Sequence, residues 1–233
     1  MAAEPTLLLV HSPLLTPATW DALAPHLEAA GWRVVVLDLR PLIEAPSFHA
    51  AVCAAAATSG AASVVVGHSR AGAYLPGIAD AVGGDLVDVV FLDARLPHPD
   101  TSWVGSLPPE RAAWLRGLAG SGRLPRWDTW FPAGSFDSLL TDPDRRRVLH
   151  DLPELPWNVV SEVLRAPGPK WNSATHTYIQ LSAAYQATAD QAEQGGYRVR
   201  RLDADHLAMV TQPAAVAQLL LPGSATGSPG GGS

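Results

Sequence analysis

Short continuous apolar runs alternate along most of the chain with longer segments in which apolar residues recur every three or four positions. The short runs are typical of strands buried on both faces, and the periodic segments are typical of helices. Strict alternation of the two predicts an α/β fold with a mostly parallel, doubly wound sheet. The predicted strands span 6–11, 33–39, 63–66, 86–93, 176–181 and 197–202, and the predicted helices span 19–30, 48–59, 73–82, 183–194 and 213–221.

The alternation stops after the fourth predicted strand, where prolines and tryptophans accumulate and only short helical patterns remain. We predict a helical cap over 98–175, inserted after the strand that ends at Asp93 and laid over the carboxyl edge of the sheet. The core would then consist of 1–97 and 176–222. The final stretch, 223–233, holds glycine, serine, alanine, threonine and proline with nothing to bury, which predicts disorder.

The composition excludes several classes of protein. With 47% hydrophobic and 16% charged residues the chain is globular. The net charge of −6 and the lack of a dense basic cluster predict no nucleic-acid partner. No apolar stretch approaches membrane-spanning length and the N-terminus has no secretion-signal pattern, so we predict no membrane partner and a cytoplasmic location. The single cysteine, Cys53, rules out an internal disulfide, and no Cys/His cluster has zinc spacing, so no metal is expected. The oligomeric state is left open.

The strand predicted at 63–66 leads into Gly67-His68-Ser69 and then into a helix of small residues. A serine at such a sharp turn projects its hydroxyl beyond the end of the sheet. The amide of Arg70 and the positive end of the helix dipole point into the same space. Ser69 is therefore a candidate nucleophile, and the Arg70 amide is a candidate half of an oxyanion hole. An incidental N-cap serine in a glycine turn is the alternative interpretation.

Three features follow one another along the chain: the turn serine Ser69, a carboxylate at the end of the next strand, Asp93, and a histidine after the last strand, His206. In this order, and with an inserted cap, the sequence resembles the α/β-hydrolase superfamily. The run Ala-Asp-His-Leu-Ala-Met at 204–209 is similar to the branch that contains plant methylesterases and hydroxynitrile lyases. The resemblance implies that His206 is the general base, because a serine hydroxyl needs a nearby imidazole to take its proton.

The resemblance defines the triad acid less well. In most of the superfamily the acid follows the strand that here ends at Leu181, but the next four residues, Ser-Ala-Ala-Tyr, contain no carboxylate. Asp93 follows the strand after the helix that begins at the Ser69 turn, a location that some members use. We favour it as the residue that orients His206. The alternatives are Asp190, Asp203, Asp205, no acid at all, and a role for Asp93 in capping nearby amides.

A second departure concerns the oxyanion hole. After the first strand the superfamily usually has His-Gly and then a residue whose amide completes the hole, whereas this chain has His11-Ser12-Pro13. Proline has no amide hydrogen. The second donor is therefore the Leu14 amide, the Ser12 hydroxyl, or absent. Leu207 stands where hydroxynitrile lyases of this branch carry a lysine, which disfavours that type of lyase.

These features predict a cofactor-free serine hydrolase that cleaves a small, largely apolar carboxylic ester, thioester or lactone through an acyl-enzyme, with that small molecule as its expected partner. An incomplete oxyanion hole favours instead a cofactor-free lyase, cyclase or isomerase that uses Ser69 and His206 for proton transfer. A non-catalytic ligand-binding protein is the third interpretation. The cap tryptophans are either ordinary core residues or walls of an apolar pocket. The candidate substrate contacts are His11, Pro13, His68, Trp103, Trp127, Trp130 and Trp157.

Overall fold

A computed structural model describes residues 5–221, so the tail for which we predict disorder, 223–233, lies outside the described residues. The central sheet has six strands, and every neighbouring pair in it is parallel, which confirms the predicted parallel, doubly wound sheet. Its strands are β1 (Thr6–Val10), β2 (Arg33–Leu37), β3 (Val64–His68), β4 (Asp88–Leu92), β7 (Thr175–Gln180) and β8 (Arg198–Arg201), in the spatial order β2-β1-β3-β4-β7-β8; a separate antiparallel pair consists of β5 (Arg123–Leu124) and β6 (Leu155–Pro156).

Helices connect the strands and cover both faces of the sheet. The α-helices are α1 (Ala24–Ala29), α2 (Phe48–Thr58), α3 (Leu75–Ala81), α4 (Pro109–Leu118), α5 (Asp142–Leu149), α6 (Trp157–Ser161), α7 (Pro169–Ser173), α8 (Gln186–Gln194), α9 (Ala208–Thr211) and α10 (Pro213–Leu220). Short 3-10 helices span Pro17–Trp20, Arg40–Leu42, Ser69–Tyr74, Val104–Ser106, Trp127–Trp130 and Ala183–Tyr185. A proline stands in the first turn of α1, α3, α4, α5, α7 and α10, where the missing amide has no intrahelical acceptor to lose.

Alternate residues of the central strands face opposite sides, and both sides are buried. Leu8 and Val65 pack with α2 and α3 in one apolar cluster. Leu9 and Val66 pack with α1 and α10 in the other. Burial on both faces explains why these strands are continuous apolar runs rather than alternating ones. Because the strands are parallel, their carboxyl ends lie at one edge of the sheet, where the polar residues after β3, β4 and β8 come together.

The helix after β3 begins later than predicted. Residues Ser69–Tyr74 form a 3-10 helix, and α3 starts at Leu75 rather than at residue 73. Pro76 lies in the first turn of α3 and lacks the amide that a continuous α-helix would need there. The helix predicted at 19–30 is shortened in the same way. Pro25 lies in the first turn of α1, which starts at Ala24 rather than at residue 19.

The stretch between β4 and β7 contains α4 to α7 and the short pair β5 and β6. We expected no strands in this stretch. Each strand of the pair has two residues, which is too short to produce a period-two pattern in the sequence. That 98–175 forms a cap over the carboxyl edge of the sheet stays a prediction.

Candidate active site

Ser69 stands at the turn between β3 and the 3-10 helix that follows, with a φ of 56°. This left-handed backbone is strained for a residue that carries a side chain. The loop after β4 supports the turn, because the Ser69 carbonyl accepts a hydrogen bond of 2.9 Å from the Arg95 amide. The turn holds the Ser69 hydroxyl at the carboxyl edge of the sheet.

Two glycines allow this turn to pack against its neighbours. A Cβ on Gly72 would lie 2.1 Å from the carbonyl oxygen of Arg95, which is a backbone atom with little freedom to move. A Cβ on Gly67 would lie 2.8 Å from the side chain of Leu75. Larger residues at either position would therefore push the start of the helix away from the sheet and misplace Ser69.

His206, in the turn between β8 and α9, joins Ser69 to a carboxylate. Its Nε2 lies 3.0 Å from the Oγ of Ser69, and its Nδ1 lies 2.6 Å from the Oδ2 of Asp93. Because an ionised carboxylate only accepts hydrogen bonds, Nδ1 carries the proton and Nε2 presents its lone pair to the serine hydroxyl. The arrangement can thus move the hydroxyl proton of Ser69 onto the imidazole.

Asp93 is fully buried after β4 and has a φ of 43°. Its Oδ1 accepts hydrogen bonds from the amides of Leu181 at 2.8 Å and Ser182 at 3.1 Å, and its Oδ2 also accepts one from the Ser182 hydroxyl at 2.6 Å. Burial raises the pKa of Asp93, but the hydrogen bond and charge of His206 and the donors of Ser182 and Leu181 outweigh it, so the pKa lies below its ordinary value. Asp93 is therefore ionised at neutral pH. It also caps two amides, so the capping role that we considered coexists with its contact to His206.

The other carboxylates that we considered as the acid lie elsewhere. Asp205 accepts hydrogen bonds from the backbone and a side chain of the turn into α9. Asp190 pairs with an arginine at the surface, and Asp203 is exposed. Within residues 5–221, the carboxylate that contacts the imidazole of His206 is that of Asp93.

Two histidines for which we expected substrate contact are fully buried instead. The Nε2 of His11 accepts a hydrogen bond of 3.0 Å from the Leu39 amide, and its Nδ1 donates one of 2.7 Å to the Ser12 carbonyl. The Nε2 of His68 donates a hydrogen bond of 2.9 Å to the carbonyl of His206. Burial and then the neighbouring His206 hold the pKa of His68 well below its ordinary value, so its ring is neutral. Both rings tie down the backbone around the site rather than facing the cavity.

A cavity of about 590 Å³ opens beside Ser69. A separate cavity of about 430 Å³ lies near Asp88 and Thr175, at the amino edge of the sheet, and none of the three residues of the Ser-His-Asp constellation lines it. The cavity beside Ser69 is lined by Leu14, Ser69, Arg70, Arg95, Trp103, Leu107, Arg111, Trp114, Leu115, Trp127, Trp130, Phe131, Ala184, Tyr185 and His206.

The remaining candidate substrate contacts divide into two groups. Trp103, Trp127 and Trp130 line the cavity. Trp157 does not line it, because its ring stacks against the guanidinium of a surface arginine, 4.5 Å from the ring centroid. Pro13 is buried and also absent from the cavity wall. From the sequence alone, a tryptophan in a helix or loop of 98–175 could not be assigned to the cavity wall or to packing elsewhere.

The Arg70 amide belongs to the first turn of the 3-10 helix, whose leading amides have no acceptor within the helix. Leu14 lines the cavity, and its amide lies 3.3 Å from the hydroxyl oxygen of Ser12. The two groups that we considered for the second oxyanion donor therefore contact each other, with the Ser12 hydroxyl oxygen as the acceptor.

Among the cavity residues that the sequence analysis did not single out, Tyr185 and Arg95 lie beside the Ser-His-Asp constellation. The ring of Tyr185 stacks on His206, with centroids 5.0 Å apart and planes inclined by 4°. The guanidinium of Arg95 lies over the same Tyr185 ring, 5.1 Å from its centroid. Burial raises the pKa of Tyr185, while the charge of Arg95 and a hydrogen bond with Ser69 act in the opposite direction, and the phenol keeps its proton. Tyr185 ends the Ser-Ala-Ala-Tyr run that we inspected only for a carboxylate, and its place after a strand end was the signal that could have identified it.

Neither a metal site nor a thiolate is found among the described residues. Between residues 5 and 221, no group of three or more His, Cys, Asp or Glu side chains is placed to hold a metal ion. Burial raises the pKa of Cys53 to about 11, so this side chain remains a thiol. No helix in the same range is long and apolar enough to cross a membrane.

The sequence comparisons agree with the fold. The model of the alpha/beta hydrolase family matches residues 7–219 of the chain. Among proteins of curated function, no sequence matches this chain.

Several solved structures resemble this one over nearly their whole length. An extracellular alpha/beta-hydrolase from a Paenibacillus species, described as sharing structural and functional homology with tobacco salicylic acid binding protein 2, is 19% identical, with a TM-score of 0.69 over 93% of this chain and 97% of that one. A methylesterase from Arabidopsis is 15% identical, with a TM-score of 0.67 over 93% and 97%. A pyrethroid hydrolase from Sphingobium faniae is 18% identical, with a TM-score of 0.63 over 93% and 95%. At these identities the similarity concerns the fold.

Proposed function

Because the chain belongs to the alpha/beta hydrolase family, we propose that it is a serine esterase that cleaves a small carboxylic ester, thioester or lactone. The observation that carries the proposal is a chain of three hydrogen-bonded side chains, of which Ser69 and His206 line the cavity and Asp93 is buried behind them. Ser69 lies 3.0 Å from His206, and His206 lies 2.6 Å from Asp93 on its other nitrogen. The name of the Arabidopsis methylesterase, a structure of similar fold, supports ester cleavage as the reaction class.

The proposed reaction begins when the Oγ of Ser69 attacks the carbonyl carbon of the bound ester and its proton passes to the Nε2 of His206. The ionised carboxylate of Asp93 stabilises the resulting imidazolium and keeps the ring oriented. The imidazolium then returns the proton to the leaving alcohol or thiol, which departs and leaves an acyl group on Ser69. A water molecule, deprotonated by the same imidazole, releases the acid. No cofactor takes part in any of these steps.

The negative oxygen of the tetrahedral intermediates needs hydrogen-bond donors. The Arg70 amide supplies one, since it opens the helix directly after the nucleophile. The second is the Leu14 amide, if it leaves its long contact with Ser12, or the phenol of Tyr185, which stays protonated beside the Ser69 hydroxyl. Pro13 cannot contribute, because it has no amide hydrogen.

The engagement of the Leu14 amide by Ser12 favours one alternative function. A lyase, cyclase or isomerase could use Ser69 and His206 for proton transfer alone, which does not require a complete oxyanion hole. Such an enzyme would form no acyl group on Ser69.

Intact-mass spectrometry after incubation with a small fluorophosphonate tests the proposal. The wild-type protein is expected to gain the mass of a single adduct, and Ser69→Ala is expected to gain none. His206→Ala should react at a much lower rate, because Ser69 would then lack its base. A folded wild-type protein that remains unlabelled would overturn the esterase proposal and favour proton transfer or ligand binding.

A further inference from the structure

Three arginines, Arg70, Arg95 and Arg111, line the cavity beside Ser69, and the lining contains no aspartate or glutamate. The chain as a whole has a net charge of −6. A positive cavity on an acidic protein concentrates anions at that point and repels cations. The positive charge of the cavity therefore favours anionic ligands, a preference that its aromatic walls do not produce.

Arg70 is the buried member of these three arginines, whereas Arg95 and Arg111 are exposed. It is only 4% exposed, and its Nε is buried without a hydrogen-bond partner among the described residues. Its Nη2 lies 2.5 Å from the Nε2 of His98, and its guanidinium carbon lies 4.6 Å from the centroid of the Trp103 ring. Because a guanidinium can only donate, His98 accepts and is neutral. Arg70 thus contacts a neutral ring, an aromatic face and the hydroxyl of Tyr74, and within residues 5–221 it forms no ion pair with a carboxylate.

Several arginines outside the cavity do have carboxylate partners. Arg40, Arg123 and Arg201 each pair with aspartate or glutamate. Burying a cation without a counter-charge is costly, and here burial lowers the pKa of Arg70 to about 10. Arg95 lies near enough to act in the same direction on that pKa. A negative charge that enters the cavity would offset both the cost of burying the Arg70 cation and its repulsion by Arg95.

We propose that the substrate is an ester that also carries a free carboxylate, such as a monoester of a dicarboxylic acid, and that Arg70 binds this carboxylate. The planar guanidinium matches a carboxylate with two parallel hydrogen bonds, which a lysine could not provide. Arg95 and Arg111 add positive potential around the same cavity, while the tryptophans contact the apolar chain between the two ends. This inference rests on the proposed esterase function and names the substrate class for it.

The kinetic test compares monomethyl adipate with methyl hexanoate, and longer and shorter homologues of each, by the rate of methanol release. The carboxylate esters are expected to show a kcat/KM roughly 10- to 100-fold higher than the neutral esters of the same chain length. Arg95→Gln and Arg111→Gln should lower this ratio. Arg116→Gln is the matched control, because Arg116 stacks on Trp157 and does not line the cavity. Equal kcat/KM values for charged and neutral esters in every homologous pair would overturn the inference while leaving the esterase proposal intact.

A binding test separates the substrate class from the chemistry. Isothermal titration of Ser69→Ala with monomethyl adipate and with methyl hexanoate requires no turnover. The charged ester is expected to bind at least about tenfold more tightly, and the added substitution Arg70→Gln should remove the difference. Thermal denaturation should show that the double variant is folded. Equal binding of the two esters to Ser69→Ala would contradict the inference. Preferential binding of the charged ester to Ser69→Ala, together with a folded wild-type protein that fluorophosphonate does not label, would support the carboxylate site and contradict the esterase proposal.

Discussion

The hydroxyl of Ser182 donates a hydrogen bond of 2.6 Å to the Oδ2 of Asp93, the same oxygen that accepts the Nδ1 proton of His206. Ser182 follows β7, which is where the family resemblance places the triad acid. Here the carboxylate comes from the end of the neighbouring β4, and the residue after β7 supplies a hydroxyl that fixes it. The acid has thus moved by one strand in the sheet while its carboxylate still reaches the imidazole.

Ser182→Ala tests this positioning role. The variant removes one charge-assisted hydrogen bond to Asp93, and such bonds contribute about 1.5–3 kcal/mol. We expect kcat/KM for ester hydrolysis to fall roughly 10- to 100-fold, since the imidazole would lose part of its orientation. Ser182→Thr keeps the hydroxyl and should restore most of the activity, which distinguishes positioning from a general packing effect. Full activity in Ser182→Ala would contradict the role.

Asp93→Asn tests the assignment of the acid. An amide at this position would favour the wrong tautomer of His206, and the expected loss in kcat is on the order of 10⁴. Asp205→Asn and Asp203→Asn are the matched controls, because neither carboxylate contacts the imidazole. Steady-state kinetics of the three purified variants would decide. A larger loss in either control than in Asp93→Asn would show that the acid is misassigned.

Much of the fold and part of the site could be predicted from local sequence. The apolar runs identified the six strands, since burial on both faces leaves a continuous pattern. Ser69 could be located because the turn that exposes it needs small residues close by in the chain, Gly67 and Gly72. His206 and Asp93 could be selected through the resemblance to the α/β-hydrolase superfamily, which implies this chain order of serine, acid and histidine.

The parts that could not be predicted depend on contacts between distant segments. His68 and His11 were expected to face the substrate, but which side of a strand end a ring occupies is decided by partners such as the His206 carbonyl. Trp157 and Trp130 belong to the same aromatic stretch, and only tertiary packing places one at the cavity and the other on an arginine. Tyr185 belongs to no motif, and although its place after a strand end was a signal, its stacking on His206 depends on tertiary packing.

Gly72→Ala is expected to destabilise the protein and to impair Ser69. The new Cβ would lie 2.1 Å from the Arg95 carbonyl oxygen, and overpacking of this kind typically costs about 1–3 kcal/mol. The melting temperature in thermal denaturation and the rate of fluorophosphonate labelling should both be lower than in the wild type. Gly117→Ala in α4 is the control, because a Cβ there meets no atom within 4 Å, and the gain in helix propensity is at most about 1 kcal/mol. An unchanged melting temperature and labelling rate in Gly72→Ala would contradict the close approach.

The stability of the protein should depend on pH through His98. Burial and then the charge of Arg70 lower the pKa of His98 to about 4, from 6.5. Between these values the unfolded chain binds a proton that the folded protein does not, so the free energy of unfolding falls as the pH is lowered from about 6.5 to 4. Each such group adds at most about 1.4 kcal/mol per pH unit to the slope.

His98→Gln keeps an acceptor for Arg70 and should reduce the slope measured by urea denaturation at several pH values. His68 contributes with the same sign, so the slope should shrink rather than vanish. Identical slopes in the two proteins would contradict the role of His98.

Tyr185→Phe tests whether the phenol serves as the second oxyanion donor. The substitution keeps the ring that stacks on His206 and underlies Arg95, and removes only the hydroxyl beside Ser69. If that hydroxyl stabilises the tetrahedral intermediate, kcat should fall by roughly 10²–10³ with little change in KM, as expected for the loss of one donor. Ser12→Ala provides the comparison, since it releases the Leu14 amide from its 3.3 Å contact and should leave kcat unchanged. Full activity in Tyr185→Phe together with a higher kcat in Ser12→Ala would assign the second donor to the Leu14 amide and exclude the phenol from the oxyanion hole.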